Sequence, residues 1–196
     1  AFWYLGNYYY NIQNKLALNA SGGKHGGLGL TVATMQLGVG ALYALLVWIV
    51  GYNFVPVSGL KPPTKQAPPK TSASDFAKMI PVAFCSAAAH SSSVLALNAG
   101  SVSFGQIVKA AEPAFSAVVN TIIYGKSPSL AKWMVLPFII AGVAFACLKP
   151  NPLGGYTIEF DTTALTMASI ANLFAAFKGS ENHKLMAAPG LKERIN

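Results

Sequence analysis

Charge is what this sequence has least of: charged residues fill 10% of its 196 positions, and only six residues in all are acidic. Soluble domains carry roughly a quarter charged residues, so the chain cannot clothe itself in a water-facing surface. Cysteine is nearly absent as well. Cys85 and Cys147 each sit inside an apolar run, which excludes a disulfide-stapled secreted scaffold and makes both small buried hydrophobes. Three scattered histidines, His25, His90 and His183, form no metal-ligand set. Gly-rich phosphate loops, Cys/His metal spacings and nucleophile elbows are all missing, so neither an enzyme nor a cofactor is expected. The stretch Gly22-Gly23-Lys24-His25-Gly26-Gly27 reads as a linker between apolar segments.

What is present is hydrocarbon, at 53% hydrophobic residues. A helix needs about 20 apolar residues to cross a bilayer. Gly27 to Val50, Phe76 to Ala99, Val102 to Tyr124 and Ala131 to Leu148 meet that need. Two weaker segments flank them: Phe2 to Leu18, interrupted by Asn7, Asn11 and Asn14, and Thr162 to Phe177, bounded by Asp161 and Lys178. Their polar residues suit a bundle interior or a wet cavity better than lipid. The expected fold class is therefore an all-α membrane protein of about six transmembrane helices. Asn53 to Ser74, with five prolines and three lysines, reads as an extended, solvated connection. Gly100-Ser101 is too short for anything but a helical hairpin, and Lys149 to Gly155 stops the fifth span.

The net charge of +8 is compatible with nucleic acid, anionic lipid or an anionic solute, and its distribution decides among them. With alternating spans, one side carries Lys61, Lys65, Lys70, Lys78, Lys126, Lys132, Lys184, Lys192 and Arg194, the other only Lys24 and Lys149. That asymmetry is the positive-inside pattern of a polytopic membrane protein. It leaves no reason to invoke nucleic acid and makes membrane lipid an expected partner. Lys15, Lys109 and Lys178 fall within or at the ends of spans.

Lys109 is the most informative of the three, near the middle of an apolar span where an unpaired ammonium costs at least about 2.5 kcal/mol. Glu112, one turn on, is placed to neutralise it, and Pro113 predicts a bend at that level. One reading is a structural ion pair locking two helices. The other is a cation that binds an anion at mid-membrane depth in competition with Glu112. His90 lies about as far before the Gly100-Ser101 turn as Lys109 lies after it, so the two share a depth. Ser91 to Ser93 and Gln106 add hydrogen-bonding groups nearby.

These residues carry a resemblance. Val102-Ser103-Phe104 followed by Ile107-Val108-Lys109-Ala110-Ala111-Glu112-Pro113-Ala114-Phe115-Ser116-Ala117 resembles the fourth-helix signature of the plastid triose-phosphate/phosphate translocator family, within the drug/metabolite transporter superfamily. Trp3-Tyr4, Asn11-Ile12 and Asn14-Lys15 are similar to that family's first helix, Gln36-Leu37, Gly40 and Trp48 to its second, and Pro81-Val82-Ala83 with His90 to its third. Asn172-Leu173-Phe174, Lys178, Lys184 and Met186 resemble a further family pattern. The chain departs from it with Gly105-Gln106 in place of Thr-His, Ala171 for serine and Lys178 for arginine.

The resemblance implies ten helices in two inverted five-helix repeats, of which this chain holds the first (about residues 1–150) and the start of the second (about 156–196). It implies exchange of inorganic phosphate for a phosphorylated metabolite, triose phosphate foremost, across the plastid inner envelope. By position, Lys109 would grip the phosphate, His90 and Ser93 the far end of the substrate, and Lys178 would contact substrate, supported by Glu112, Gln106 and Pro113. Because inverted-repeat carriers place their site between repeats, the expectation is a piece of a longer carrier. Completion by a second copy, or a non-transporting subunit of a larger membrane complex, stands beside it, as does a nucleotide-sugar transporter relative.

Overall fold

The computed structural model describes residues 2–50, 72–126, 128–146, 148–150, 154, 156–158 and 161–187. The Pro/Lys-rich connection up to Thr71, with Lys61, Lys65 and Lys70, lies outside the described residues. So do Cys147, Lys192 and Arg194.

Each apolar segment becomes a helix, with boundaries moved by local chemistry. Helix α1 (Phe2–Ala20) leads through a 3-10 turn (Gly23–His25) into α2 (Gly29–Val50). Gly22 turns the chain with φ of +97°, and a Cβ there would sit 2.8 Å from the Gly26 Cα, so only glycine fits. Helix α3 (Ala73–Ala99) begins earlier than its hydropathy predicts. Ser72 Oγ accepts from the Asp75 amide at 3.3 Å while the Asp75 carboxylate accepts from the Ser72 amide at 3.1 Å, a capping box that carries Ser74 and Lys78 into the helix.

The fourth predicted span is two helices, α4 (Val102–Lys109) and α5 (Glu112–Ile122). Helix α6 (Leu130–Ala146) follows. A two-stranded antiparallel ladder then joins β1 (Leu148–Pro150) to β2 (Tyr156–Ile158), with Leu148 opposite Ile158. The described chain is otherwise helical, and Lys149-Pro150 follows the end of the fifth span as part of this short ladder. Helix α7 (Thr162–Ala187) runs ten residues beyond the expected end at Phe177, so Lys178 and Lys184 lie within it rather than after it.

Among the described residues, two stretches, Gly29–Leu46 and Ala73–Ala99, are long and apolar enough to cross a bilayer, and Trp133–Gly142 is a shorter apolar one. Outward-facing Tyr43 and Phe138 are 70% and 78% exposed, surface suited to acyl chains.

The core is built from small residues. Helix α7 packs along α3 and against α4 and α5. Ala96, Phe104, Val108, Ala164 and Ala168 form one buried cluster, while Leu18, Ala33, Val94 and Leu97 join α1, α2 and α3 in another. Alanine at such contacts lets helix backbones approach closely, the usual route to packing where hydrocarbon offers no hydrophobic drive between helices. Gly100 shows how close: a Cβ added there would meet the Ala164 Cβ at 2.7 Å. Ser101, next to it, caps α4 by accepting from the Phe104 amide at 3.2 Å.

Candidate functional site

Six helices, α1 to α5 and α7, converge on a polar cleft of about 320 Å³. Its lining includes Lys109 and Gln106 from α4, Glu112 from α5, His90 and Ser93 from α3, and Lys178 from α7. Pro113, expected to support this group, lines instead a second, mostly apolar hollow of about 690 Å³ between α5 and α6.

The break between α4 and α5 places the charges. Pro113 has no N–H, which leaves the carbonyl of Lys109 without its helical donor. The chain tightens there, with the Ala110 amide bonded to the carbonyls of Gln106 and Ile107, and the Ala111 amide to that of Val108 at 3.0 Å. Asn172 reaches in from α7 and donates Nδ2 to the Val108 carbonyl at 2.9 Å, with 1% of its surface exposed. Lys109 thus ends one helix and Glu112 begins the next.

The expected pairing of these two is corrected. The described ion pairs are Lys24 with Asp161 and Lys184 with Glu181, and Lys109–Glu112 is not among them. The physical reason is the interruption itself. Lys109 sits at the negative end of α4 and Glu112 at the positive end of α5, so each charge meets a favourable helix terminus without the other. Among the described residues neither Lys109 nor Lys178 has an ion-pair or hydrogen-bond partner, and Lys109 is exposed to the cleft. Lys15 behaves differently: its Nζ donates to the Leu97 and Gly100 carbonyls at 2.6 and 2.7 Å, locking α1 onto the end of α3.

An amide and phenol network joins α1, α2 and α3. Tyr10 donates to Gln36 Oε1 at 3.2 Å, Gln36 Nε2 donates to Asn14 Oδ1 at 2.7 Å, and His90 Nε2 lies 3.0 Å from Gln36 Oε1. Ser93 Oγ donates to the Ala89 carbonyl at 2.8 Å, and Gln106 bridges to Asn11 Oδ1 at 2.9 Å. Tyr10, Asn14 and Gln36 were not singled out as site residues from the sequence. The signal available was an amide inside each of two apolar segments, which in hydrocarbon calls for an interior partner.

Both ends of α7 are tied by charge. At its start, Lys24 Nζ donates to Asp161 Oδ2 at 2.8 Å, and Asp161 Oδ1 accepts from the Ala164 amide at 2.9 Å. The lysine first, then the amide, hold the Asp161 carboxyl below the usual carboxylate range. Near its end, Glu181 accepts from Tyr124 at 2.6 Å and from Lys184 at 3.1 Å, and the Lys184 ammonium lies 4.2 Å from the centre of the Tyr124 ring.

Apolar helices enclosing a polar cleft with two ammonium groups unpaired among the described residues define a helical protein suited to a bilayer. The Triose-phosphate Transporter family model matches residues 1–196, and the chain belongs to that family. Among curated relatives, it is 30% identical over 184 residues to the triose phosphate/phosphate translocator, chloroplastic, of Solanum tuberosum, covering 94% of this chain and 38% of that protein. The Pisum sativum protein of the same description is 29% identical, with 94% and 40% covered. Glucose-6-phosphate/phosphate translocator 1, chloroplastic, of Arabidopsis thaliana is 29% identical over 186 residues, with 95% and 42% covered. The chain therefore spans about two fifths of the length of these relatives.

Proposed function

We propose that this chain supplies the phosphate-binding half of a plastid inner-envelope antiporter that exchanges inorganic phosphate for a phosphorylated metabolite, triose phosphate first among them. Its helices form the first five-helix repeat, and α7 opens the second repeat of a ten-helix inverted carrier. The observation that carries this reading is a pair of lysines, Lys109 and Lys178, that have no partner among the described residues and share one cleft with a single described carboxylate, Glu112. Two ammonium groups against one carboxylate leave the site cationic, and a phosphate group supplies the missing negative charge. The names of the relatives point to the same ligand.

Alternating access follows from the electrostatics. An empty cationic site is costly to enclose in a low-dielectric interior, whereas a bound dianion neutralises it. Reorientation is then fast only when the site is loaded, which makes exchange obligatory.

The test begins with binding. In lipid nanodiscs the 196-residue chain is expected to unfold at higher temperature in phosphate than in equimolar chloride, since a ligand at 100 times its Kd adds about 2.7 kcal/mol to stability. Lys109→Gln is expected to abolish that difference. Equal protection by chloride, or undiminished phosphate protection in Lys109→Gln, defeats the assignment.

A further inference from the structure

A neutral imidazole carries one ring proton, and the nitrogen facing an amide oxygen is the one that holds it. Nε2 of His90 lies 3.0 Å from Oε1 of Gln36, whose own amide nitrogen is committed to Asn14 Oδ1 at 2.7 Å. Tyr10 donates to the same Oε1 at 3.2 Å and accepts from Asn14 Nδ2 at 3.4 Å, so Tyr10, Asn14 and Gln36 close a ring that runs in one sense. Its direction turns the amide oxygen toward His90. Nδ1 is left with the lone pair and, among the described residues, has no partner. His90 lines the same cleft as Lys109 and Lys178.

We infer that Gln36 is a positioning residue that holds His90 in its Nε2-protonated form, so that the cleft selects phosphate esters bearing a hydroxyl group. The inference rests on the phosphate reading above and specifies which esters the site prefers. With the ester's phosphate at the lysines, its other end meets an acceptor, Nδ1. A hydroxyl can donate to that lone pair, while a keto or carboxylate oxygen offers only lone pairs of its own and gains nothing there. Gln36 does not touch the ester; it acts through the ring of His90.

Glycerol 3-phosphate and ethyl phosphate are suitable probes, since the second keeps the phosphate and lacks the hydroxyls. Their affinities for the chain in nanodiscs are compared by calorimetry. The wild-type chain is expected to bind glycerol 3-phosphate about tenfold more tightly, the worth of one hydrogen bond of about 1.4 kcal/mol. Gln36→Leu removes the acceptor that fixes the ring and is expected to erase the preference. Gln36→Glu, which still presents an oxygen to Nε2, is expected to keep it.

Nitrogen-15 spectra of histidine-labelled protein, with His90 assigned by His90→Gln, report the protonated nitrogen directly and do not depend on Gln36→Leu folding. A proton on Nε2 in the wild-type chain is expected. A proton on Nδ1 means that the ring runs the other way, and it overturns the inference. So does a wild-type chain that binds both esters equally, or a Gln36→Leu chain that keeps the preference, while phosphate protection persists. Loss of phosphate protection in the wild-type chain instead brings down the parent proposal.

Discussion

Lys15 and Lys109 carry the same charge inside predicted spans, and the structure gives them opposite fates. Lys15 is bound by two carbonyls at the end of α3, where a cation satisfies acceptors that the helix leaves free. Lys109 stands without a partner among the described residues. Lys15→Met is therefore expected to destabilise the chain by about 2 kcal/mol, the worth of hydrogen bonds to a charged group. Lys109→Met is expected to shift stability by less than about 0.5 kcal/mol, as for an exposed side chain outside any network. Denaturant titration of the two variants in mixed micelles distinguishes them, and equal losses would contradict the contrast.

Both lysines were legible in the sequence as cations in hydrocarbon, but nothing in their spacing told the locked one from the free one. The lock is made to carbonyls 82 and 85 positions away, beyond the reach of any local pattern. His90 was placed at the depth of Lys109 by counting from the hairpin. Its partner Gln36 sits 54 positions from it on another helix, and only packing could reveal that contact.

At the scale of elements, hydropathy located the helices because each buries or faces hydrocarbon along its length. Their ends needed finer chemistry. Ser72 with Asp75 was a readable capping signature that moves the start of α3. The bend expected from Pro113 appears just ahead of it, because proline frees the carbonyl four residues back rather than its own. The β1–β2 ladder was not legible: three-residue strands are too short to show an alternating pattern.

The close contact of the α3–α4 hairpin with α7 makes a testable claim about that joint. Gly100→Ala introduces a methyl 2.7 Å from the Ala164 Cβ and is expected to cost about 1–3 kcal/mol through overpacking. Combining it with Ala164→Gly is expected to recover part of that loss. A double-mutant cycle in thermal unfolding measures the coupling, and strict additivity would show that the two sites do not touch.

For the molecule as a whole, α7 is the organising element: it packs against α3, α4 and α5 and contributes Lys178 to the cleft. Its family motif was readable in the sequence, but its place against α3 was not, since no single segment encodes which neighbour it meets. The Lys24–Asp161 tie joins the linker between α1 and α2 to the start of this helix. Because folding depresses the Asp161 pKa, the stability it contributes is present above the unfolded carboxylate pKa and is lost as pH falls through the folded one. Asp161→Asn retains a capping oxygen but removes the charge. It is expected to lower the melting temperature at pH 7 and to match the wild-type chain once the pH falls well below the usual carboxylate range. A gap that persists in acid would assign the loss to capping instead.

Helix α7 meets its neighbours through Ala164, Ala168, Ala171 and Ala176, all nearly fully buried. Methyl groups take up little room, so the backbones of α7 and its neighbours stand close together. Tied by charge near both ends and pinned midway by the Asn172 amide on the Val108 carbonyl, α7 is a fixed post that sets the station of the Lys178 ammonium in the cleft.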